Sequence, residues 1–251
     1  MSDTIAILTG ASRGIGAAMA RGLARPGTRL ITLARREDPE LAEHARAQGA
    51  QLEQLSVDLS DLAAAGAAAE RICASLPRDA RRYLLINNAG TVHPIAATGT
   101  LTDGAAIAAA FNLNVSAVML LTARFLAAVE GLDADRRVLN ISSGAGRNPN
   151  AGWGVYCATK AALDMYTRVV KAEQGEGGAR IVALAPGIVD TDMQVAIRSS
   201  DPEDFPALAK FQDFHASGKL SSPANVATRI LAYLDRSDFG TTEIDDIRNY
   251  D

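Results

Sequence analysis

Thr9-Gly10-Ala11-Ser12-Arg13-Gly14-Ile15-Gly16 follows a short apolar run and opens a segment of helical pattern. No other stretch constrains the fold as much. Glycines spaced GxxxGxG permit positive φ and let the backbone approach another group closely. The helix N-terminus that follows presents unpaired N–H groups and positive dipole to an anion. Glycines of this kind also occur in turns for geometry alone. Placed after the first strand of a βαβ chain, however, Gly10, Ser12, Arg13, Gly14, Ile15 and Gly16 predict a dinucleotide site.

The chain beyond repeats the alternation of strand and helix. The predicted strands are Thr4–Thr9, Arg29–Leu33, Gln51–Val57, Tyr83–Asn87, Arg136–Ser142, Arg180–Ala185 and Thr241–Ile247. Helical patterns cover Ile15–Ala24, Pro39–Gln48, Asp61–Ser75, Asp103–Glu130, Val155–Glu173 and Pro223–Asp235, with a break or bend expected inside the long Asp103–Glu130 segment. Ile5-Ala6-Ile7-Leu8 and Tyr83-Leu84-Leu85-Ile86 are apolar throughout, as strands of a parallel sheet covered on both faces should be. The fold class is therefore α/β, a doubly wound parallel sheet of Rossmann type, with residues 1–251 as a single domain. Residues 189–222 break the rhythm with no strand, two prolines and three phenylalanines. Following a strand's carboxyl end, they are expected to form a mobile lid over the substrate.

Composition narrows the function classes. Net charge is −4, with no run of Lys or Arg, which argues against a nucleic-acid partner. Cys73 and Cys157 are too few and too far apart for a disulfide framework or a zinc site, and the histidines have no ligand-like spacing, so no metal is expected. The stretch Ser116–Val129 is interrupted by Arg124 and falls short of the ~20 residues of a membrane span. A strand pattern begins almost at once, leaving no room for a signal peptide. A cytoplasmic protein is the expectation.

The second strand bears on the choice of cofactor. An NAD site usually has an acid at that strand's end to accept from the ribose 2′-OH. Here Leu30-Ile31-Thr32-Leu33 runs into Ala34-Arg35-Arg36. A guanidinium pairs bidentately with a 2′-phosphate, and Arg13 lies in the turn beside it. Together Arg13, Arg35 and Arg36 point to NADP(H). Asp58, followed by Leu59, ends the third strand and is placed either to touch the adenine or to cap the next helix.

Tyr156 and Lys160 are four apart in a helical pattern and share one face. Ser143 lies just past the strand Val138-Leu139-Asn140-Ile141, at the edge where such sheets bind ligands. A free tyrosine, with pKa near 10, is a sluggish acid at neutral pH, and a neighbouring ammonium stabilises its phenolate. Tyr156 would then protonate a carbonyl oxygen as hydride reaches the carbon, and Ser143 would hydrogen-bond that same oxygen.

These motifs resemble the short-chain dehydrogenases/reductases along the whole chain. The resemblance is carried by Thr9-Gly10…Gly14-Ile15-Gly16, Asn87-Asn88-Ala89-Gly90, Asn114-Val115, Ile141-Ser142-Ser143, Tyr156…Lys160 and Pro186-Gly187…Thr191. It implies a catalytic tetrad of Asn114, Ser143, Tyr156 and Lys160, in which Asn114 fixes a helix irregularity and a water, and Lys160 also binds the nicotinamide ribose. Of the two adjacent serines, the family spacing favours Ser143 over Ser142. Asn87, Ala89 and Gly90 would line the cofactor together with Pro186 and Gly187, and Ile188 and Thr191 would hold the carboxamide. A homodimer or homotetramer is implied, formed partly by the long helices.

A narrower resemblance, to sepiapterin and benzil reductases, rests on Gly152-Trp153-Gly154-Val155-Tyr156-Cys157-Ala158, on Ala185 to Gln194, on Gly218-Lys219-Leu220 and on the tail ending Tyr250-Asp251. It implies an α-diketone or α-hydroxyketone on an aromatic or pterin ring as substrate, walled by Trp153 and Met193 unless these merely pack. Asp245 or Asp246 would match the C-terminal aspartate that anchors a pterin, in a tail longer than the family pattern. Another carbonyl or alcohol substrate (3-oxoacyl, polyol or steroid) and a non-catalytic NADP(H) sensor are the alternative readings.

Overall fold

The computed structural model describes residues 3–250. They build one parallel sheet in the order β3-β2-β1-β4-β5-β6-β7, its strands being β1 Thr4–Thr9, β2 Thr28–Ala34, β3 Gln51–Ser56, β4 Arg82–Asn87, β5 Asp135–Ile141, β6 Arg180–Ala185 and β7 Ile244–Asp246. The helices are α1 Gly14–Leu23, α2 Pro39–Ala47, α3 Leu62–Ala74, α4 Gly104–Phe111, α5 Ala117–Val129, α6 Gly154–Gln174, α7 Asp192–Arg198, α8 Leu208–Ala216 and α9 Pro223–Asp235.

Each central strand is apolar along its length because it feeds two cores. Ala6 and Leu8 of β1 join Met19, Leu30, Ile86, Val182 and Ile230 in the layer beneath α1 and α9. Ile5 and Ile7 point the other way, into a layer with Leu85, Leu121, Phe125, Val138 and Val170 beneath α3, α5 and α6. The chain runs outward from β1 to β3, then returns to lay β4 beside β1 with Thr4 opposite Arg82 and Leu8 opposite Ile86. At that reversal the loops after β1 and β4 diverge, opening a cleft at the sheet's carboxyl edge.

The break expected in the long helical segment is a π-helical turn, Asn112–Ser116, between α4 and α5. Because this turn keeps the helix continuous, Gly104–Val129 runs for 26 residues and contains an 18-residue window of mean hydropathy 1.8. By length and composition it could cross a membrane, which corrects the shorter stretch read from the sequence. In the fold it is the crossover between β4 and β5, with Leu121, Phe125 and Val129 packed on the sheet.

Two departures concern the carboxyl-terminal part. The last strand, expected over Thr241–Ile247, covers only Ile244–Asp246. The Asp246 carboxylate accepts from the Arg248 N–H and turns the chain into a short 3₁₀ helix. Residues 189–222 hold α7 and α8 and make one bridge, Val189 to Ser221. Phe205 and Phe211 anchor this segment on Trp153, with ring centroids 4.9 and 5.2 Å from the indole.

Candidate active site

The cleft at the sheet's reversal encloses about 690 Å³. Its floor is the glycine turn. Gly10 has φ +70°, and a Cβ there would lie 2.8 Å from the Ala89 Cα; a Cβ on Gly16 would fall 2.0 Å from the Gly10 carbonyl oxygen. Only glycine at both positions lets the turn lie flat against the loop after β4. Thr9 and Asn88 staple the two loops together. The Thr9 hydroxyl accepts from the N–H groups of Asn88 and Ala89 at 2.9 and 3.0 Å, and the Asn88 amide donates to the carbonyls of Thr9 and Gly10 at 3.0 and 3.1 Å.

The predicted cofactor residues divide on inspection. Gly10, Ser12, Arg13, Gly14, Ile15, Gly16, Arg35, Asp58, Leu59, Ala89, Gly90, Pro186 and Thr191 line the cleft, whereas Arg36, Asn87, Gly187 and Ile188 do not. Arg35 and Arg36 are both exposed, but only Arg35 turns toward the opening. The Asn87 side chain is buried on the far side, donating to Asn140 Oδ1 at 2.8 Å. Strand alternation gives the neighbouring Asn88 to the cleft instead. Asp58 does not cap the following helix, since Asp61 does, accepting from Ala63 and Ala64. Its own carboxylate accepts from the Ser60 N–H and hydroxyl, and these bonds, the hydroxyl's first, hold it below the usual carboxylate range.

At the inner end Tyr156 and Lys160 stand one turn apart on α6, both lining the cleft and only 7% and 5% exposed. Lys160 Nζ donates to the Ile141 carbonyl at 2.8 Å and lies 5.7 Å from the centre of the tyrosine ring. Burial, opposed by the nearby Asp164 carboxylate, brings its pKa down to about 8. Burial also dominates at the phenol, raising its pKa, while a hydrogen bond with Ser143 opposes. The expected acidification by the ammonium is thus not what governs Tyr156 in this state. Ser143, half-buried, is oriented by the Ala145 N–H at 3.2 Å. Ser142, not Ser143, is the serine among the cleft-lining residues, but its hydroxyl is engaged behind the cleft, donating to Asp164 at 2.5 Å.

Asn114 occupies the π-helical turn and is 1% exposed. Its amide donates to the Thr91 carbonyl and the Thr159 hydroxyl at 2.9 and 3.0 Å, and its oxygen accepts from the Thr91 N–H at 2.9 Å. It therefore ties the loop after β4 to α6 one residue before Lys160. Thr9, Asn88, Thr91 and Thr159 were missed in the sequence; Asn88 and Thr9 lie inside quoted motifs, but their hydrogen bonds join residues some 80 positions apart.

The predicted substrate residues scatter. Met193 lines the cleft with Val92, His93 and Pro94, whereas Trp153 stands behind Tyr156, edge-on at 5.5 Å, and contributes no cleft surface. Asp245 is buried and accepts from the hydroxyls of Tyr233 and Tyr250 at 2.9 and 2.5 Å. Asp246 pairs with Arg248 at 2.6 Å. Neither aspartate lines the cleft, because the tail consumes both carboxylates in fastening itself to α9 and its own turn. Asp251 lies outside the described residues. Those residues contain no cluster of His, Cys, Asp and Glu able to hold a metal.

Comparison with known proteins places this geometry in context. The family model for short chain dehydrogenase matches residues 4–202. A benzil reductase ((S)-benzoin forming) from Bacillus cereus is 39% identical over 95% of this chain and 96% of its own length. Sepiapterin reductase from Mus musculus is 36% identical over 94% and 93%. Among solved structures, the KRED1-Pglu enzyme superposes with a TM-score of 0.80 at 26% identity, covering 94% of this chain and 98% of the other. A short chain dehydrogenase from Burkholderia cenocepacia in complex with NADP gives 0.75 at 25%, covering 97% and 95%. With the glycine turn, Tyr156 and Lys160 lining one cleft and the family model spanning most of the chain, the chain belongs to the short-chain dehydrogenase family and is an oxidoreductase acting on carbonyl or hydroxyl groups.

Proposed function

We propose that the protein is an NADPH-dependent reductase of a small ketone, an α-diketone or α-hydroxyketone carried on an aromatic or pterin ring. The observation that carries this reading is the joining of Tyr156, Lys160 and the glycine turn in one cleft of about 690 Å³. The cradle fits a dinucleotide: a side chain on Gly10 or Gly16 would fill it, and the first turn of α1 opens onto it. Arg13 and Arg35 border the same opening, which favours a 2′-phosphate over a free ribose hydroxyl. The benzil and sepiapterin reductases at 39% and 36% identity support the substrate class.

The bound nicotinamide would supply hydride to the substrate's carbonyl carbon. Tyr156 would donate its phenolic proton to the carbonyl oxygen, and Ser143 would hydrogen-bond that oxygen as negative charge gathers on it. Lys160, one turn along α6, stabilises the phenolate left after the transfer. Asn114 keeps the loop and helix around Lys160 in place. Met193, Val92 and Pro94 offer the apolar surface for a flat ring.

Met119 and Leu120 on α5 and Met165 and Val169 on α6 are exposed apolar residues, in keeping with a homodimer or homotetramer joined through these helices. The catalytic reading is tested by following NADPH oxidation with benzil, an aryl-alkyl diketone, sepiapterin and a simple 3-oxoacyl ester, in wild type and Tyr156→Phe. Turnover of the diketones that disappears in the variant is expected. Turnover surviving the substitution overturns the role of Tyr156, and activity confined to the oxoacyl ester overturns the substrate class.

A further inference from the structure

Asp164 lies one turn beyond Lys160, so Tyr156, Lys160 and Asp164 follow each other at intervals of four along α6. It is 5% exposed, yet it is an ionisable side chain in the layer behind the cleft. The Ser142 hydroxyl donates to its Oδ1 at 2.5 Å, a length characteristic of a bond to a charged acceptor. Its Oδ2 has no hydrogen-bond partner and lies 3.7 Å from Arg147 Nε, an ion-pair distance. Ser142 and Arg147 stand on either side of Ser143. The loop between them presses on the same helix, since a Cβ on Gly146 would fall 2.8 Å from the backbone carbon of Lys160 and 3.0 Å from Asp164 Oδ2.

We propose that Asp164 is a positioning residue for the reaction: its buried carboxylate grips both ends of the loop that carries Ser143 and faces the Lys160 ammonium, holding serine, phenol and ammonium in one arrangement. The proposal rests on the reading of Ser143, Tyr156 and Lys160 as the reacting group. Strand β5 and helix α6 are also joined by the bond from Asn140 to the Thr167 hydroxyl, further along the helix, and next to the reacting group by the bond from Lys160 to the Ile141 carbonyl. That bond must be free to adjust if Lys160 is also to serve a ligand. A second tether that does not involve a reacting residue keeps the loop fixed while Lys160 works.

The charges facing this pair come from several elements. Lys160 meets Tyr156 and Asp164 on its own helix, with the Ile141 carbonyl from β5 and the Asn114 amide across Gly90. Asp164 faces Arg147 from the loop and Lys160 and Arg168 from α6, and Arg147 in turn faces Asp246 from β7. Asp164 favours the charged form of Lys160, so removing its negative charge makes the ammonium lose its proton more readily.

Three variants separate the roles. Asp164→Asn keeps an acceptor for Ser142 and removes the charge; Asp164→Ala removes both; Ser142→Ala removes the tether and leaves the charge. For whichever carbonyl substrate wild type reduces, kcat is expected to fall about 10–100-fold in Asp164→Ala and about 3–10-fold in Ser142→Ala, for the loss of one buried hydrogen bond with and without its charge. KM and the Kd for NADPH should stay within about threefold. In the cofactor-free protein, the Lys160 titration followed by NMR should move to lower pH in Asp164→Asn and remain in place in Ser142→Ala. Unchanged kcat in Ser142→Ala and an unmoved Lys160 titration in Asp164→Asn would overturn the proposal, as would losses of kcat matched by equal losses of folded protein or NADPH affinity. The Lys160 titration needs no substrate, so a wild type inactive on every ketone would count against the reductase reading without deciding this one.

Discussion

Arg13 and Asp192 meet across the mouth of the cleft, Nη1 to Oδ2 at 2.9 Å, joining the glycine turn to the first residue of α7. Both side chains are about two-thirds exposed. The pair occupies the arginine proposed to receive the cofactor's 2′-phosphate, so binding NADPH would mean exchanging one anion for another. An exposed ion pair is worth about 0–1 kcal/mol. Asp192→Asn should therefore tighten NADPH by up to about fivefold, the equivalent of that energy, and leave NADH nearly unchanged. Fluorescence titration of both cofactors, repeated in an Arg13→Ala background, tests the exchange. Equal tightening in that background would mean that Asp192 acts by repelling the cofactor and not by holding Arg13.

Arg35 borders the same opening just past β2 and makes no ion pair with the described residues; the Asp58 carboxylate, on which its charge acts from a distance, is engaged by Ser60. Arg35 is thus free to meet a phosphate. A hydrogen bond to a charged group contributes about 1.5–3 kcal/mol, so Arg35→Asp should weaken NADPH by about 10–100-fold and NADH by far less. Parallel losses for the two cofactors would remove Arg35 from the 2′-phosphate site.

Lys160 illustrates a conflict between function and stability. Its pKa of about 8 in the folded protein, against the ordinary lysine range, reflects an ammonium kept out of water. A shift of that size corresponds to roughly 3 kcal/mol of destabilisation at neutral pH. The unfolded chain binds the proton more tightly than the folded one between pH ~8 and ~10.4, so this cost is full below that window and disappears as pH rises through it. Lys160→Met gives up the bond to Ile141 and should still gain about 1–3 kcal/mol at neutral pH, with the advantage shrinking by pH ~10. Turnover should drop by at least about 10²-fold. Denaturant unfolding of the cofactor-free proteins at the two pH values measures the difference, and a variant less stable than wild type at neutral pH would contradict it.

How far the sequence could be read depends on the range of the interactions that settle each element. The first strand was legible at both ends, since Ile5, Ala6, Ile7 and Leu8 must be covered on both faces whatever their neighbours. Helix α9 was equally legible, its start fixed locally by Pro223 and the Ser222 cap. By contrast, α7 and α8 were not, because Phe205 and Phe211 answer to Trp153, about fifty residues earlier in the chain, and leave little periodicity of their own. The same limit applies at the site. The spacing of Tyr156 and Lys160 shows that they share a helix face, but their protonation is set by burial beneath loops from elsewhere in the sheet. Asp245 looked available for a ligand only because its partner Tyr233 belongs to α9.

The aromatic seat of residues 189–222 gives a direct reporter, because Trp153 is the sole tryptophan in the sequence. Its indole is 6% exposed, stacked on Phe205 with an interplanar angle of 11°, and touches Tyr156 edge-on. Emission from the folded protein should be that of a buried indole. Phe205 is fully buried, and Phe205→Ala removes a stacking ring and leaves a cavity at a cost of about 3–5 kcal/mol. That loss falls on α7 and α8 and leaves the two cores of the sheet untouched. The variant should therefore shift tryptophan emission to the red and become open to protease between Asp201 and Ser217, while circular dichroism still reports an intact sheet. Because Tyr156 rests on the same indole, its reductase activity should fall together with the emission change, and normal activity alongside a red-shifted Trp153 would show that the phenol is held without it.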